Sequence, residues 1–231
     1  MPEITFIVDD LRGEILVEDN QDLSRDAIEH LREHLGDAQE IGCARPLAII
    51  KPIAGSPKNA PENSSVRIAG YYHNSLTEGP GRRSSVLFQY CPLKCKGCWT
   101  PQLHSKDAGE LISVEKLAEL LLDPKYERDG VTILGGEPFA QPEGLNALVK
   151  ALRKQNCPHI VCYSGYTLER LREKAARQPA IGEALNGIDV LIDGAYVESL
   201  SSGAGLWTGS GNQRVIDLRA TRQNKRVILY S

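Results

Sequence analysis

Val86-Leu87-Phe88-Gln89-Tyr90-Cys91-Pro92-Leu93-Lys94-Cys95-Lys96-Gly97-Cys98-Trp99 is the stretch on which the reading of this chain turns. Its first five residues are an apolar run that predicts a buried strand. Three cysteines follow at once, spaced C-x-x-x-C-x-x-C. The thiols therefore belong to the loop at the strand's carboxyl end, where open α/β sheets and barrels bind ligands. Pro92 and Gly97 let so short a loop turn three thiolates inward. Three chemistries suit that arrangement. One is a disulfide with an odd thiol, although nothing else in the sequence points to an oxidising compartment. A second is a Cys3His zinc site with His104 as fourth ligand, although zinc spacings usually begin C-x-x-C. The third is a 4Fe–4S cluster with one iron lacking a protein ligand, an open position where chemistry can occur.

Downstream the pattern repeats. A strand over Val131–Leu134 runs straight into Gly135-Gly136-Glu137-Pro138. Two glycines let backbone groups approach a ligand closely, and Glu137 can accept hydrogen bonds from an ammonium group. Ser113 caps a helix through Leu122. Pro142 opens another, with Leu145, Leu148, Val149 and Leu152 on one stripe. His159–Tyr163 predicts a strand, Thr167 caps a helix carrying Leu168 and Leu171, and Ile188–Ile192 leads to Asp193-Gly194. Alternating strands and helices predict parallel pairing with right-handed crossovers. Residues 66–231 are too few for a closed eight-stranded barrel of about 200 to 250 residues. The expectation is an α/β fold, a partial open (β/α) barrel of five to six parallel units, with a strand over Val66–Tyr72 at its start.

Upstream, residues 3–8 and 14–18 predict two strands around a turn, and Ser24 caps a helix with Ile28, Leu31 and Leu35 before Gly36. With Leu47–Ile50 as a further strand, residues 1–50 make a small ββαβ-like α+β unit. His30 and His34 sit at i,i+4 on its charged helix face and read as solvated surface. Pro52, Pro57 and Pro61 mark 51–65 as a linker.

The chain has 231 residues, 41% hydrophobic, with a net charge of −3, which disfavours a nucleic-acid surface. No run approaches the roughly 20 apolar residues of a membrane helix, and no signal-peptide core is present. A cytoplasmic protein is expected. Cys43, Cys157 and Cys162 are scattered and read as small buried apolar residues.

The pairing of C-x-x-x-C-x-x-C with G-G-E-P resembles the radical S-adenosylmethionine superfamily. That resemblance implies that Cys91, Cys95 and Cys98 hold a 4Fe–4S cluster. It implies that Gly135, Gly136 and Glu137 contact S-adenosylmethionine, whose amino and carboxylate groups chelate the open iron. Further motifs narrow it: Glu78-Gly79-Pro80-Gly81-Arg82, Ser164-Gly165-Tyr166-Thr167, Ile192-Asp193-Gly194-Ala195-Tyr196 and Trp207-Thr208-Gly209-Ser210-Gly211-Asn212-Gln213-Arg214. In order and spacing, from about Val66 to Leu218, they are similar to the anaerobic ribonucleotide reductase activating proteins. The implied chemistry is reductive cleavage to a 5′-deoxyadenosyl radical, fed by a one-electron donor such as flavodoxin or ferredoxin. That radical takes hydrogen from a glycine of a large glycyl-radical enzyme. Gly97 stands where the superfamily often has an aromatic residue, so Trp99 or Tyr163 is assigned the contact with adenine. Asp193 is assigned a cation or the carboxylate region of S-adenosylmethionine, and Arg82 and Arg214 that carboxylate or the partner. The sequence alone leaves two rivals, a radical enzyme modifying a small molecule or peptide and a zinc-binding interaction module without catalysis. A partner that roofs the site predicts an open cavity in the isolated chain.

Overall fold

The computed structural model describes the backbone of two strands, β1 (Thr5–Asp9) and β2 (Glu14–Glu18), and residues 64–230 in full. The chain divides into two units, Met1–Ile49 and Ile50–Ser231. In the first, β1 and β2 pair antiparallel, from Thr5 opposite Glu18 to Asp9 opposite Glu14, as the sequence pattern expects. The helix from Ser24, His30 and His34, Cys43, the strand at Leu47–Ile50 and most of the linker lie outside the described residues. At the linker's end, Ser65 already opens a strand.

The second unit is one seven-stranded sheet. Its strands are β3 (Ser65–Ser75), β4 (Arg83–Phe88), β5 (Glu110–Ser113), β6 (Gly130–Gly135), β7 (Ile160–Ser164), β8 (Val190–Asp193) and β9 (Arg214–Asp217). They lie in the linear order β5-β3-β4-β6-β7-β8-β9. The central four, β4, β6, β7 and β8, are parallel. β3 is antiparallel to both β4 and β5, and β9 is antiparallel to β8. This corrects the expected five to six parallel units. A parallel return takes a dozen or more residues, usually a helix. The turn between Ser75 and Arg83 is too short for that. The segment from Gly194 to Gln213 holds only a 3-10 turn, Glu198–Gly203. Both flanks therefore fold back, and the linear strand order is that of an open sheet.

Helices α1 (Val114–Leu121), α2 (Pro142–Lys154), α3 (Leu168–Ala175) and α4 (Pro179–Gly187) follow β5, β6 and β7, and α5 (Leu218–Asn224) follows β9. The expected caps form: Ser113 accepts from Lys116 N at 3.2 Å and Thr167 from Arg170 N at 3.3 Å. Pro142 starts α2, whose Leu145, Leu148, Val149 and Leu152 are all buried. The sequence reading passed over α4, since Gly182 and Gly187 dilute its signal; Ile181, Ala184 and Leu185 still give it a buried stripe.

Strand alternation sorts the side chains onto two faces. Val86, Phe88, Val131, Ile133, Ile160, Cys162 and Leu191 join the helices in the main core. Burying one such leucine is worth roughly 1.5–3 kcal/mol. Val161, Val190 and Ile192 form a second cluster with Tyr163, Trp207, Val215 and Tyr230. Cys157 and Cys162 are buried, as expected of structural thiols.

Candidate active site

The carboxyl ends of β4, β6 and β7 and the residues just past β8 surround a cavity of about 150 Å³. Cys91, Cys95 and Cys98 line it together with Gly135, Gly136 and Tyr163. All three thiols are partly exposed.

The cysteine loop is shaped by backbone rather than by core packing. Tyr90 and Lys94 take φ of +77° and +47°, and Gly97 takes +69°. These left-handed residues fold the loop back over so short a span. Gln89, the one polar residue in the strand-forming run, is 2% exposed. Its amide donates to Gln102 O at 3.2 Å and to Ser105 O at 2.9 Å, which fastens the start of the loop to the turn beyond it. Gln141 donates to Gln89 O at 2.9 Å. The sequence reading missed both glutamines; a lone amide inside an apolar run was the available signal for the first.

The Gly-Gly turn packs directly on this loop. Gly136 N donates to Phe88 O at 2.8 Å and Glu137 N to Tyr90 O at 2.9 Å. A Cβ on Gly135, whose φ is +111°, would lie 2.5 Å from Phe88 N, and one on Gly136 would lie 2.3 Å from Tyr90 O. The two glycines thus permit close approach of the cysteine loop's own backbone as well as of a ligand.

Glu137 is fully buried and does not line the cavity. Its carboxylate accepts from Phe139 N at 3.0 Å, Ser164 Oγ at 3.0 Å and Gly165 N at 2.8 Å. Burial pushes its pKa up to about 7, against these hydrogen bonds, which pull it down. The side chain assigned to an ammonium group ties the β6 loop to the β7 loop.

Tyr163 lines the cavity and its hydroxyl donates to Trp207 O at 2.9 Å. Burial, and then the charge of Glu78, raise its pKa. Trp99 is 74% exposed and outside the lining, with its ring 5.8 Å from that of Tyr196. Asp193 is buried, and its carboxylate is engaged: it accepts from Leu168 N at 2.7 Å and from Arg214 Nε at 2.9 Å. Arg214 also bridges to Glu169 at 2.8 Å, and that hydrogen bond pulls the Glu169 pKa down to about 2. Gly194, not Asp193, reaches the lining. Arg82 donates through its backbone to Asp129 at 2.7 Å and is not among the lining residues.

The late loop is an ordered rim. Gln213, a lining residue, donates to Gly194 O at 2.9 Å and accepts from Gly209 N at 2.7 Å. Asn212 donates to Ala195 O at 2.8 Å.

The donor set suits an iron–sulfur cluster. Burial raises the Cys91 pKa, while the backbone N–H groups of Leu93 and Lys94, placed to hydrogen-bond its sulfur, favour the thiolate. Among the described residues, no three His, Cys, Asp or Glu side chains converge as one metal ion requires. No helix of the described residues is long and apolar enough to cross a membrane.

Residues 77–216 match the family described as 4Fe-4S single cluster domain, a span holding the cysteine loop, the Gly-Gly turn and the late rim. The chain is 32% identical over 162 residues to the anaerobic ribonucleoside-triphosphate reductase-activating protein of Salmonella typhi, covering 67% of this chain and 100% of that one. With the protein of the same name from Escherichia coli K12, identity is 28% over 156 residues, 64% of this chain and 97% of that one. With the pyruvate formate-lyase-activating enzyme of Clostridium pasteurianum it is 35% over 104 residues, 43% of this chain and 44% of that one. The chain belongs to the radical S-adenosylmethionine 4Fe–4S family of glycyl-radical activating enzymes. That membership sets the zinc-module alternative aside.

Proposed function

We propose that this chain activates an anaerobic ribonucleotide reductase by generating a radical on one of its glycines. The observation that carries the reading is the cavity where three partly exposed thiols meet the Gly135-Gly136 turn. In this reading Cys91, Cys95 and Cys98 are the cluster ligands. Gly135 and Gly136 present backbone to S-adenosylmethionine, and Glu137 holds that turn in place through Ser164 and Gly165. Tyr163 supplies the apolar wall for adenine. Asp193 and Arg214 brace the rim from behind. When bound, the cluster and S-adenosylmethionine supply a one-electron cleavage whose 5′-deoxyadenosyl radical abstracts hydrogen.

The chain's own residues leave the thiols partly open, so a partner surface would complete the enclosure and exclude water. The reductase and a flavodoxin or ferredoxin as electron donor are the partners we assign, and the reducing cytoplasm is the compartment. Residues 66–231 would carry the cofactor chemistry and residues 1–50 would dock the partner. The relatives named as reductase-activating proteins support the choice of partner over a small molecule or peptide.

The test is anaerobic. The protein is reconstituted with iron and sulfide, reduced, and mixed with S-adenosylmethionine and the reductase of the same cell. Formation of 5′-deoxyadenosine with a persistent glycyl doublet on the reductase is expected. Nucleoside without the doublet would reject this partner and favour a small substrate or peptide. Neither product from a cluster-loaded protein would reject the chemistry.

A further inference from the structure

His104 ends the 3-10 turn Pro101–His104 that follows the cysteine loop. It lines the same cavity as Cys91, Cys95 and Cys98. Its Nε2 is buried and has no hydrogen-bond partner among the described residues. A buried polar atom left without a partner costs about 1–3 kcal/mol, so such atoms are rare unless something outside the chain satisfies them. The other orphan, Asn146 Oδ1, belongs to an amide on α2 whose nitrogen already donates to Glu183 at 2.8 Å. His104 has no such compensation.

The backbone that carries the ring is also held. Leu103 beside it is 4% exposed, and Leu103 N donates to Thr100 O at 3.0 Å. Gln89 clamps the backbone on both sides, at Gln102 O and Ser105 O. The same glutamine stands two residues before Cys91. One side chain therefore ties the backbone that carries His104 to the strand end that leads into Cys91. An imidazole nitrogen without a protein partner among the described residues, at a cavity lined by three thiols, can as an N–H group donate to a sulfur acceptor. Hydrogen bonds to cluster sulfurs stabilise the more negative, reduced state and raise the reduction potential.

We propose that His104 is a positioning residue for the iron–sulfur cluster, its Nε2–H donating a hydrogen bond to a cluster thiolate or sulfide. The inference rests on the reading that the three cysteines hold the cluster. It adds a fourth protein contact that steadies the group and sets the potential at which it accepts an electron.

The experiment uses the full chain, reconstituted anaerobically, as wild type and as His104→Phe, His104→Leu and His104→Gln. Iron and sulfide content is measured first, then the midpoint potential at one fixed pH, then pulsed paramagnetic resonance of the reduced cluster with ¹⁵N-histidine. Two variants without a donor keep the test alive if one fails to fold. Expected are equal iron and sulfide in the folded proteins and a more negative potential in His104→Phe and His104→Leu. Partial recovery in His104→Gln and a weak ¹⁵N coupling that both apolar variants lose are also expected. Unchanged potentials in the apolar variants would overturn the proposal, as would the strong coupling of an imidazole bound directly to iron. A folded wild type that takes up no cluster would instead strike the functional reading, so the two failures are told apart.

Discussion

The two ends of the central parallel strands are built from the same sheet and differ in what they leave open. At the amino end, Arg83 opens β4 with its side chain fully buried. It donates to Thr132 Oγ1 at 3.0 Å, Val131 O at 2.7 Å, Pro80 O at 3.2 Å and both His159 O and Nδ1, at 3.2 and 3.3 Å. Burial pulls its pKa down to about 10. Nearby Asp189 accepts from Ile160 N at 2.8 Å and from Arg153 and Arg219. Its pKa stays below the ordinary value although burial pushes it up, because those donors favour the carboxylate. At the carboxyl end the thiols are partly exposed, the backbone takes left-handed turns at Tyr90 and Lys94, and a buried ring nitrogen has no partner among the described residues. At the amino end these buried charges are paired within the chain. At the carboxyl end Glu137 and Asp193 are paired as well, and it is the three thiols and one nitrogen of His104 that are left for something else to bind.

The sharpest way to break this comparison is at the thiols. Cys91→Ala, Cys95→Ala and Cys98→Ala should each abolish assembly of a stable cluster, while the urea midpoint of the metal-free chain moves little. Iron and sulfide analysis checks the first, and denaturation the second. Retained iron and sulfide in all three would sink the assignment.

Next in size is the closed end. Arg83→Met strands several buried acceptors, and the expected loss of stability is about 3 kcal/mol by chemical denaturation. Cluster content per folded molecule should be unchanged. A variant that unfolds no more easily would show that the amino end is not the structural half.

A smaller effect is expected where the loops touch. Gly136→Ala places a methyl against Tyr90 O and should push the turn off the cysteine loop. We expect roughly tenfold weaker S-adenosylmethionine binding, about 1.4 kcal/mol, by anaerobic calorimetry. Full affinity would mean that the two loops can part without cost to the site.

The mildest test is pH. The folded Glu137 titrates at about 7, above its ordinary 4.5. A carboxyl with a raised folded pKa favours the fold below the unfolded value and loses that contribution as pH rises through the folded one. Between pH 4.5 and 7 the metal-free wild type should therefore lose stability relative to Glu137→Gln. The opposite slope would mean that Ser164, Gly165 and Phe139 keep the carboxylate ionised.

Much of this protein was determined by short-range sequence. Ser113, Thr167 and Pro142 start helices because a cap or a preset φ acts within one turn. The strand before Cys91 and the one before Gly135 are legible because apolar runs of that length must be buried. The cysteine spacing and the Gly-Gly-Glu-Pro segment are local too, and they pointed to the family. Tertiary structure alone decided what depends on residues far apart in the chain. Sheet order made β3 and β9 antiparallel. It set Gly135 and Gly136 against Phe88 and Tyr90, turned Glu137 toward Ser164 and Gly165, and joined Asp193 to Arg214. It left Trp99 outside the cavity and brought His104 to it. A residue's type states which bonds it can make, but strand order and loop closure choose which partner comes within reach.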